Sequence, residues 1–324
     1  MNTFTTMNTQ FLLDGLSEAD CSTIKKLVFY AEATFSRFRE DSEVSLINRN
    51  KGEWVKVSPL TFRLLEDAYL AFQGTDGIFN PFLGTHIQQI GYKCAFDLLP
   101  QEPSSHIGSR ADVMQIPDVS AFLLSDCGSY LQFDQVELKV CLSPFADLDL
   151  GGIAKGWIAQ YAAEQFIIRG VPCGLIDAGG DVILWGKEPR QQLWGVEVAH
   201  PFYQDQCIAD LWLEGMTAMA TSNIIKRSWL SPSGEKVHHI LDPRTGMPAN
   251  SDLIQVTVLT RDLTTSEQYA KCLLILGSEV GFSWLSKHAP AAAYIAVRND
   301  GKILYSANLD WYCTEWEVNH HGTK

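Results

Sequence analysis

The stretch K-G-W-I-A-Q-Y-A-A-E-Q-F-I-I-R-G (155–170), running straight into V-P-C-G-L-I-D-A-G-G-D-V-I-L-W (171–185), decides how this chain folds. Ile158, Tyr161, Ala162 and Phe166 form an apolar stripe on a helix that stops at Gly170. An apolar run, a Gly-Gly pair and a second apolar run then read as strand, tight turn and strand. Helices and strands mix here without a regular βαβ rhythm, which favours an α+β fold over a doubly wound parallel sheet.

Outward from this stretch the punctuation is similar. Ser17 is a candidate N-cap for a helix over 17–39, and Ser58-Pro59 starts another over 61–72. Residues 44–52 form a short segment closed by Gly52, and Trp54–Val57 alternates as a strand. Thr75–Gly84 is loop-like. Runs beginning at Tyr130 and Val136 alternate like paired strands, another strand starts at Leu193, and Ile254–Thr260 is a further one. A helix over Ser266–Leu276 ends at Gly277. Residues 100–118, rich in Pro and Ser, read as a surface excursion with no change of composition beyond it.

At 324 residues the chain is long enough for one large domain or two intimate lobes. Its composition, 46% hydrophobic and 19% charged, is that of a globular protein. A net charge of −13 argues against nucleic acid or an anionic membrane as the default partner. No apolar run approaches the ~20 residues of a membrane span, and the first residues lack the pattern of a leader. The expectation is therefore a cytoplasmic protein. Eight scattered cysteines without C-x-x-C suit reduced thiols rather than a disulfide framework or a zinc site.

Four clusters could carry chemistry. D-L-G-G-I-A-K-G (149–156) presents glycines and Lys155 at a helix start, where backbone N–H groups can hold an anion. It matches neither common nucleotide-loop motif, and a plain strand-to-helix turn with a solvated lysine would look the same. H-H-I-L-D-P-R-T-G-M-P (238–248) crowds two histidines, an aspartate and an arginine around a turn. A histidine there could serve as a general base or simply be a satisfied structural residue. In I-D-A-G-G-D (176–181) the aspartates could meet a metal or ligand, or tie down their own turn. The small residues of T-A-M-A-T-S-N (217–223) allow close approach by a ligand or close packing.

These motifs, in this order and at these separations, resemble the FAD:protein FMN transferase (ApbE-like) family. F-S-R-F-R-E-D-S-E-V-S-L-I-N (35–48) and D-G-I-F-N-P (76–81) resemble the family's N-terminal motifs, and the likeness runs from about 7 to 301. The resemblance implies one domain over 1–324, of two intimately packed lobes with mixed or antiparallel sheets. It implies FAD as substrate, Mg²⁺, and transfer of FMN to a Thr or Ser hydroxyl of an acceptor flavoprotein, with AMP leaving. Its FAD-contacting positions fall on Met7, Ile78, Phe79, Asn80, Asp149, Lys155 and Leu241. His239 is the candidate base or phosphate partner, and Arg244 a charge stabiliser or a buttress of its turn.

Two departures stand out. The family's metal positions fall on the carbonyl of Gly152, on Glu267 where the family has aspartate, and on Lys271 where it has threonine. Glutamate can ligate Mg²⁺, but a protonated lysine cannot. Either Lys271 takes over part of the ion's work, or it forms an ordinary i,i+4 helix pair with Glu267, worth ~0.2–0.5 kcal/mol, and the metal sits elsewhere. The second departure is Met-Asn-Thr at 7–9 in place of Met-Gly-Thr. The alternatives to transfer are a non-catalytic flavin-binding carrier and an FAD pyrophosphatase releasing FMN and AMP. A nucleotide-independent hydrolase using His239 with Asp242 ranks last, since no Ser or Cys nucleophile motif is present.

Overall fold

The helix-then-hairpin reading holds in the computed structural model, which describes residues 1–99, 130–203 and 205–319. The helix spans Ala154–Ile168, and the strands Gly174–Ala178 and Asp181–Trp185 pair antiparallel with Ile176 opposite Ile183. Gly179 and Gly180 turn between them with φ of 78° and 96°. Both lie in the left-handed region that a tight hairpin turn requires, and a Cβ on Gly179 would collide with the Thr9 hydroxyl.

The chain divides into two compact units: Met1–Ala31 with Ile153–Lys226 and Ser251–Lys324, and Glu32–Gly152 with Arg227–Asn250. Helices and antiparallel sheets make up both, as the α+β expectation requires. In the first unit the hairpin sits inside an eight-stranded sheet. Its order is Asn2–Thr6, Thr9–Asp14, Gly174–Ala178, Asp181–Trp185, Thr217–Asn223, Leu253–Thr260, Ala293–Arg298, Ile303–Tyr305. Every residue of Leu253–Thr260 is buried, so both faces of the sheet are covered.

One face sends Val182, Leu184, Met219 and Leu259 into a cluster with Trp194, Val198, Leu211 and Leu213 of a three-stranded sheet. On the opposite face the Ser266 hydroxyl donates to the carbonyl of Ala218 at 3.3 Å, so the helix Leu263–His288 packs there. Ala218 and Ala220 are fully buried beneath it, so T-A-M-A-T-S-N is a central strand whose small residues serve close packing. Asp181 stands opposite Ala220 in the ladder, and period-2 alternation puts it on this helix side.

That helix begins earlier than expected, at Leu263, and its first run ends at Gly277 as expected, although a second helical run follows directly. Asp262 caps it, its side chain accepting the Thr265 N–H at 2.7 Å. Gly277 breaks it at φ 76°, ψ 174°, and the helix resumes to His288. Both sides of the break are satisfied by neighbours. The Ser251 hydroxyl donates to the Leu274 carbonyl at 2.6 Å, and the Asp252 carboxylate accepts the Ser278 N–H at 2.8 Å and hydroxyl at 2.5 Å.

In the second unit, Ser58-Pro59 starts the helix Pro59–Gly74, with the Ser58 hydroxyl accepting the Thr61 N–H at 3.3 Å. The strands Trp54–Lys56, Lys139–Leu142 and Leu131–Asp134 form an antiparallel sheet. The segment after 42 is a helix, Glu43–Arg49, capped by Ser42. Leu83, Ile87, Ile90, Tyr92, Trp229, Val237 and Leu241 make one core of this unit. The first helix, Glu18–Phe35, ends four residues short of the expected 39, although Ser17 caps it as read.

The excursion over 100–118 lies outside the described residues, as does Cys127. The described cysteines are free thiols. Among the described residues no helix is long and apolar enough to cross a membrane.

Candidate functional site

The Gly-rich turn delivers Lys155 into the first turn of the helix Ala154–Ile168. Ile153 at the N-cap offers no side-chain oxygen, so the orphan N–H groups there need partners from elsewhere. The Gly156 N–H finds the Glu267 Oε2 at 3.0 Å. A carboxylate from the late helix thus caps the Lys155 helix, where the helix dipole favours negative charge. A Cβ on Gly156 would stand 2.6 Å from that oxygen.

Around Glu267 lies a four-charge cluster. The Glu267 Oε1 accepts from the Lys155 Nζ and the Lys271 Nζ, each at 3.1 Å, and the Lys155 Nζ also reaches the Asp181 Oδ2 at 2.9 Å. Side-chain exposures are 1% for Glu267, 7% for Asp181, 13% for Lys155 and 14% for Lys271. Burial acts to raise the Glu267 carboxyl, and the two ammoniums outweigh it and hold the group below the usual carboxylate range. Burial pushes Asp181 up, against the pull of Lys155 and with the Glu267 charge adding to the rise. The solvated-lysine reading of Lys155 is thereby corrected: it is an internal charge with two carboxylate partners. Glu267 and Lys271 do form the i,i+4 pair, but it is buried and shared with a second ammonium, so the ~0.2–0.5 kcal/mol of an exposed pair does not apply to it.

The aspartates of I-D-A-G-G-D separate in role. The Asp177 Oδ1 accepts the Gly180 N–H at 2.7 Å and ties its own turn, whereas Asp181 joins Lys155. Met7 and Asn8 form the turn of the first hairpin, with φ of 51° and 56° and Thr6 paired to Thr9. Asn tolerates this conformation better than any other side-chain-bearing residue, which accounts for the mild departure from glycine at position 8.

In the second unit, Ile78, Phe79 and Asn80 follow a sharp bend in which Asp76 takes φ 52° and Gly77 φ 77°. The Phe79 N–H donates to the Thr75 hydroxyl at 3.0 Å, and the Asn80 Oδ1 accepts the Phe82 N–H at 2.8 Å. Asp149 is held from both sides. Its Oδ1 accepts the Gly151 N–H at 2.8 Å, and its Oδ2 accepts from the Arg37 Nε at 2.8 Å. Arg37 is itself fixed: its guanidinium lies 4.1 Å from the Phe38 ring centroid and 5.0 Å from that of Tyr92, and its NH2 donates to the Tyr92 carbonyl at 2.7 Å. Sequence reading missed this arginine. It lies in the quoted F-S-R-F-R-E motif, but its partner is 112 positions away.

The H-H-I-L-D-P-R-T-G segment resolves into distinct tasks. The Ile240 N–H donates to the His238 Nδ1 at 3.3 Å, leaving Nε2 as the protonated donor to the Ala249 carbonyl at 3.0 Å. His238 is a structural neutral histidine, and burial lowers its pKa against the opposing effect of that hydrogen bond. His239 is half-buried, its Nδ1 3.4 Å from the Arg227 carbonyl. Arg244 forms a bidentate pair with Asp242 in its own turn, Nε to Oδ1 at 2.9 Å and NH2 to Oδ2 at 2.8 Å. The Leu241 side chain lies in the core beside Leu83 and Trp229, so what it offers a ligand is backbone.

Mg²⁺ can be tested against this chemistry. Gly152 lies in the turn ahead of the Lys155 helix, and Glu267 already accepts from two ammoniums and one amide. Lys271 supplies a hydrogen-bond donor where the ion needs an oxygen lone pair. Among the described residues no group of three His, Cys, Asp or Glu side chains could hold a metal. The residues present do not fit the ion at this place.

Comparison with known proteins bears on this arrangement. The sequence profile of the ApbE family matches residues 1–295. A FAD:protein FMN transferase of Klebsiella pneumoniae strain 342 is 30% identical over 294 residues, 89% of this chain and 85% of that protein. Another protein of that name, from Vibrio cholerae, is 24% identical over 310 residues, covering 94% and 88%. The crystal structure of the ApbE protein of Thermotoga maritima superposes with a TM-score of 0.80 at 25% identity, covering 97% of this chain and 99% of that one. The Vibrio cholerae flavin transferase ApbE shares the fold, with a TM-score of 0.72 at 22% identity over 96% and 98% of the two chains.

Proposed function

The chain belongs to the ApbE family, and on that premise we propose that it is an FAD:protein FMN transferase. A Thr or Ser hydroxyl of an acceptor flavoprotein attacks the FMN-side phosphorus of FAD. The new phosphoester bond forms as the bond to the bridging oxygen breaks, and AMP leaves with that oxygen. The hydroxyl proton passes to a base, for which we assign His239. Positioning and charge stabilisation carry such a transfer, since the phosphoryl group needs little covalent help from the protein.

The assigned FAD contacts are Met7, Ile78, Phe79, Asn80, Asp149, Lys155 and Leu241. Asp149 is suited to a fixed polar contact because Arg37 and the Gly151 amide hold both its oxygens. Arg244 acts on the turn that follows Leu241, through its fork on Asp242. The reading treats 1–324 as one catalytic domain working in the cytoplasm, a compartment that keeps free thiols reduced.

The observation that carries the proposal is the family match over residues 1–295. It is tested by incubating the purified chain with FAD and flavoprotein acceptors that carry a Thr or Ser flavinylation site, then reading covalent flavin fluorescence after denaturing electrophoresis. No fluorescent band with any of several acceptors refutes transfer. AMP release without acceptor would assign a pyrophosphatase instead. A Glu267 engaged by two ammoniums also suits a non-catalytic flavin carrier, which would bind FAD and release no AMP under either condition.

A further inference from the structure

We propose that the Lys271 ammonium is the resident cation of this site: fixed on Glu267, it stands where a divalent ion would bind and makes the handling of FAD independent of divalent metal. The proposal rests on the FAD reading above, but its central claim concerns the side chains of the cluster alone.

The donor geometry comes first. Glu267 and Lys271 are one helical turn apart and share a face, so the ammonium reaches Oε1 without leaving its helix. The same oxygen takes Lys155, and Oε2 takes the Gly156 amide. Oε1 has both its lone pairs engaged by ammoniums, so an octahedral Mg²⁺ at about 2.0–2.1 Å could take that oxygen only by expelling one of them. Expelling Lys271 would strand a charge that is 14% exposed, beside a carboxylate that is 1% exposed.

The charge count points the same way. Two carboxylates, Asp181 and Glu267, face two ammoniums, Lys155 and Lys271, so the cluster is neutral as it stands. A divalent ion placed here would add two uncompensated positive charges within hydrogen-bond range of two ammoniums, in a site with little water to screen them. Lys271 also keeps capacity toward a ligand. An ammonium has three donors, and Lys271 spends two on the Glu267 carboxylate and carbonyl, at 3.1 Å and 3.4 Å. The third can meet an oxygen of a diphosphate while the ion pair stays in place. A lysine built into the chain cannot be removed by a chelator.

Two titrations on the full chain test this. Mn²⁺ binding is followed by electron paramagnetic resonance, with and without FAD, and FAD binding by flavin fluorescence in EDTA or in Mg²⁺. The parent should bind no stoichiometric Mn²⁺, and its FAD affinity should be the same in EDTA and Mg²⁺. Lys271→Thr should bind one Mn²⁺ per chain. It should also lose roughly tenfold or more in FAD affinity in EDTA, the worth of one charged hydrogen bond, and regain it in Mg²⁺. Lys271→Arg keeps the charge and should behave like the parent. If Lys271→Thr does not fold by circular dichroism, Lys271→Gln, which also offers an oxygen ligand, is read in its place. Stoichiometric Mn²⁺ on the parent, or no gain of Mn²⁺ in the neutral variants, overturns the proposal. Failure of the parent to bind FAD overturns the transferase reading alone, because the Mn²⁺ titration still decides the cation question.

Discussion

Gly156→Ala sets two physical effects of opposite sign against each other. Alanine in place of a helical glycine stabilises by about 1 kcal/mol when nothing else changes. Here the added Cβ would stand 2.6 Å from the Glu267 Oε2, the oxygen that accepts the Gly156 N–H at 3.0 Å. That carboxylate cannot retreat freely, because its other oxygen holds Lys155 and Lys271. Losing a charge-assisted hydrogen bond costs about 1.5–3 kcal/mol, and crowding a packed interior about 1–3 kcal/mol. Net destabilisation should therefore be about 1.5–5 kcal/mol after the propensity gain. Urea unfolding followed by tryptophan fluorescence measures it. Gly74→Ala is the matched control, at the end of the helix Pro59–Gly74 with no atom within 4 Å of the added carbon. The control should be neutral or slightly stabilised. If Gly156→Ala is as stable as the parent, the claim that Glu267 is pinned between the two helices is wrong.

Arg37→Ala should destabilise by roughly 2–4 kcal/mol, a little under the cost of breaking a fully buried pair, and should weaken FAD binding through Asp149. Arg37→Lys should not restore it, since an ammonium does not reproduce the guanidinium stacked beside Phe38 and Tyr92; full rescue by lysine would refute the stacking argument. Burial lowers the pKa of His86, against the charge of Asp147, and that of His238, so the unfolded chain takes up protons at these sites first. Stability is then complete above the unfolded value of 6.5 and falls as pH drops through it; a Tm that stays flat or rises between pH 7 and pH 5 would contradict this. His239→Ala should spare FAD binding and abolish transfer, and loss of FAD binding instead would make His239 a ligand contact.

Much of the fold was legible because its cues are local. Ser17 and Ser58 each cap a helix through their own hydroxyl, and Gly179-Gly180 announces its hairpin by a conformation other residues avoid. The reading erred where the deciding partner was remote or the cue ambiguous. Gly277 does end a helical run, as glycine commonly does, but the second run that begins at Ser278 was not legible, because it is started by Asp252, 26 positions earlier. The candidate site followed the same pattern. Motif order pointed to Lys155, Glu267 and Asp149, and the Glu267–Lys271 pair is local, but the other charge partners lie 26 to 112 positions distant. A one-dimensional pattern carries residue types, and the pairing of charges across such separations appears only once the chain is packed.

The break at Gly277 has a consequence for how this protein tolerates change. In a continuous α-helix, inserting or deleting one residue turns everything beyond it by about 100°. Glu267 and Lys271 lie on the near side of the break, and the Asp252 carboxylate starts the helix afresh at Ser278. Residues 278–288 can therefore gain, lose or exchange positions without rotating the two charges away from Lys155. The glycine acts as a clutch, freeing the outer half of the helix to diverge while the inner half keeps its bearing.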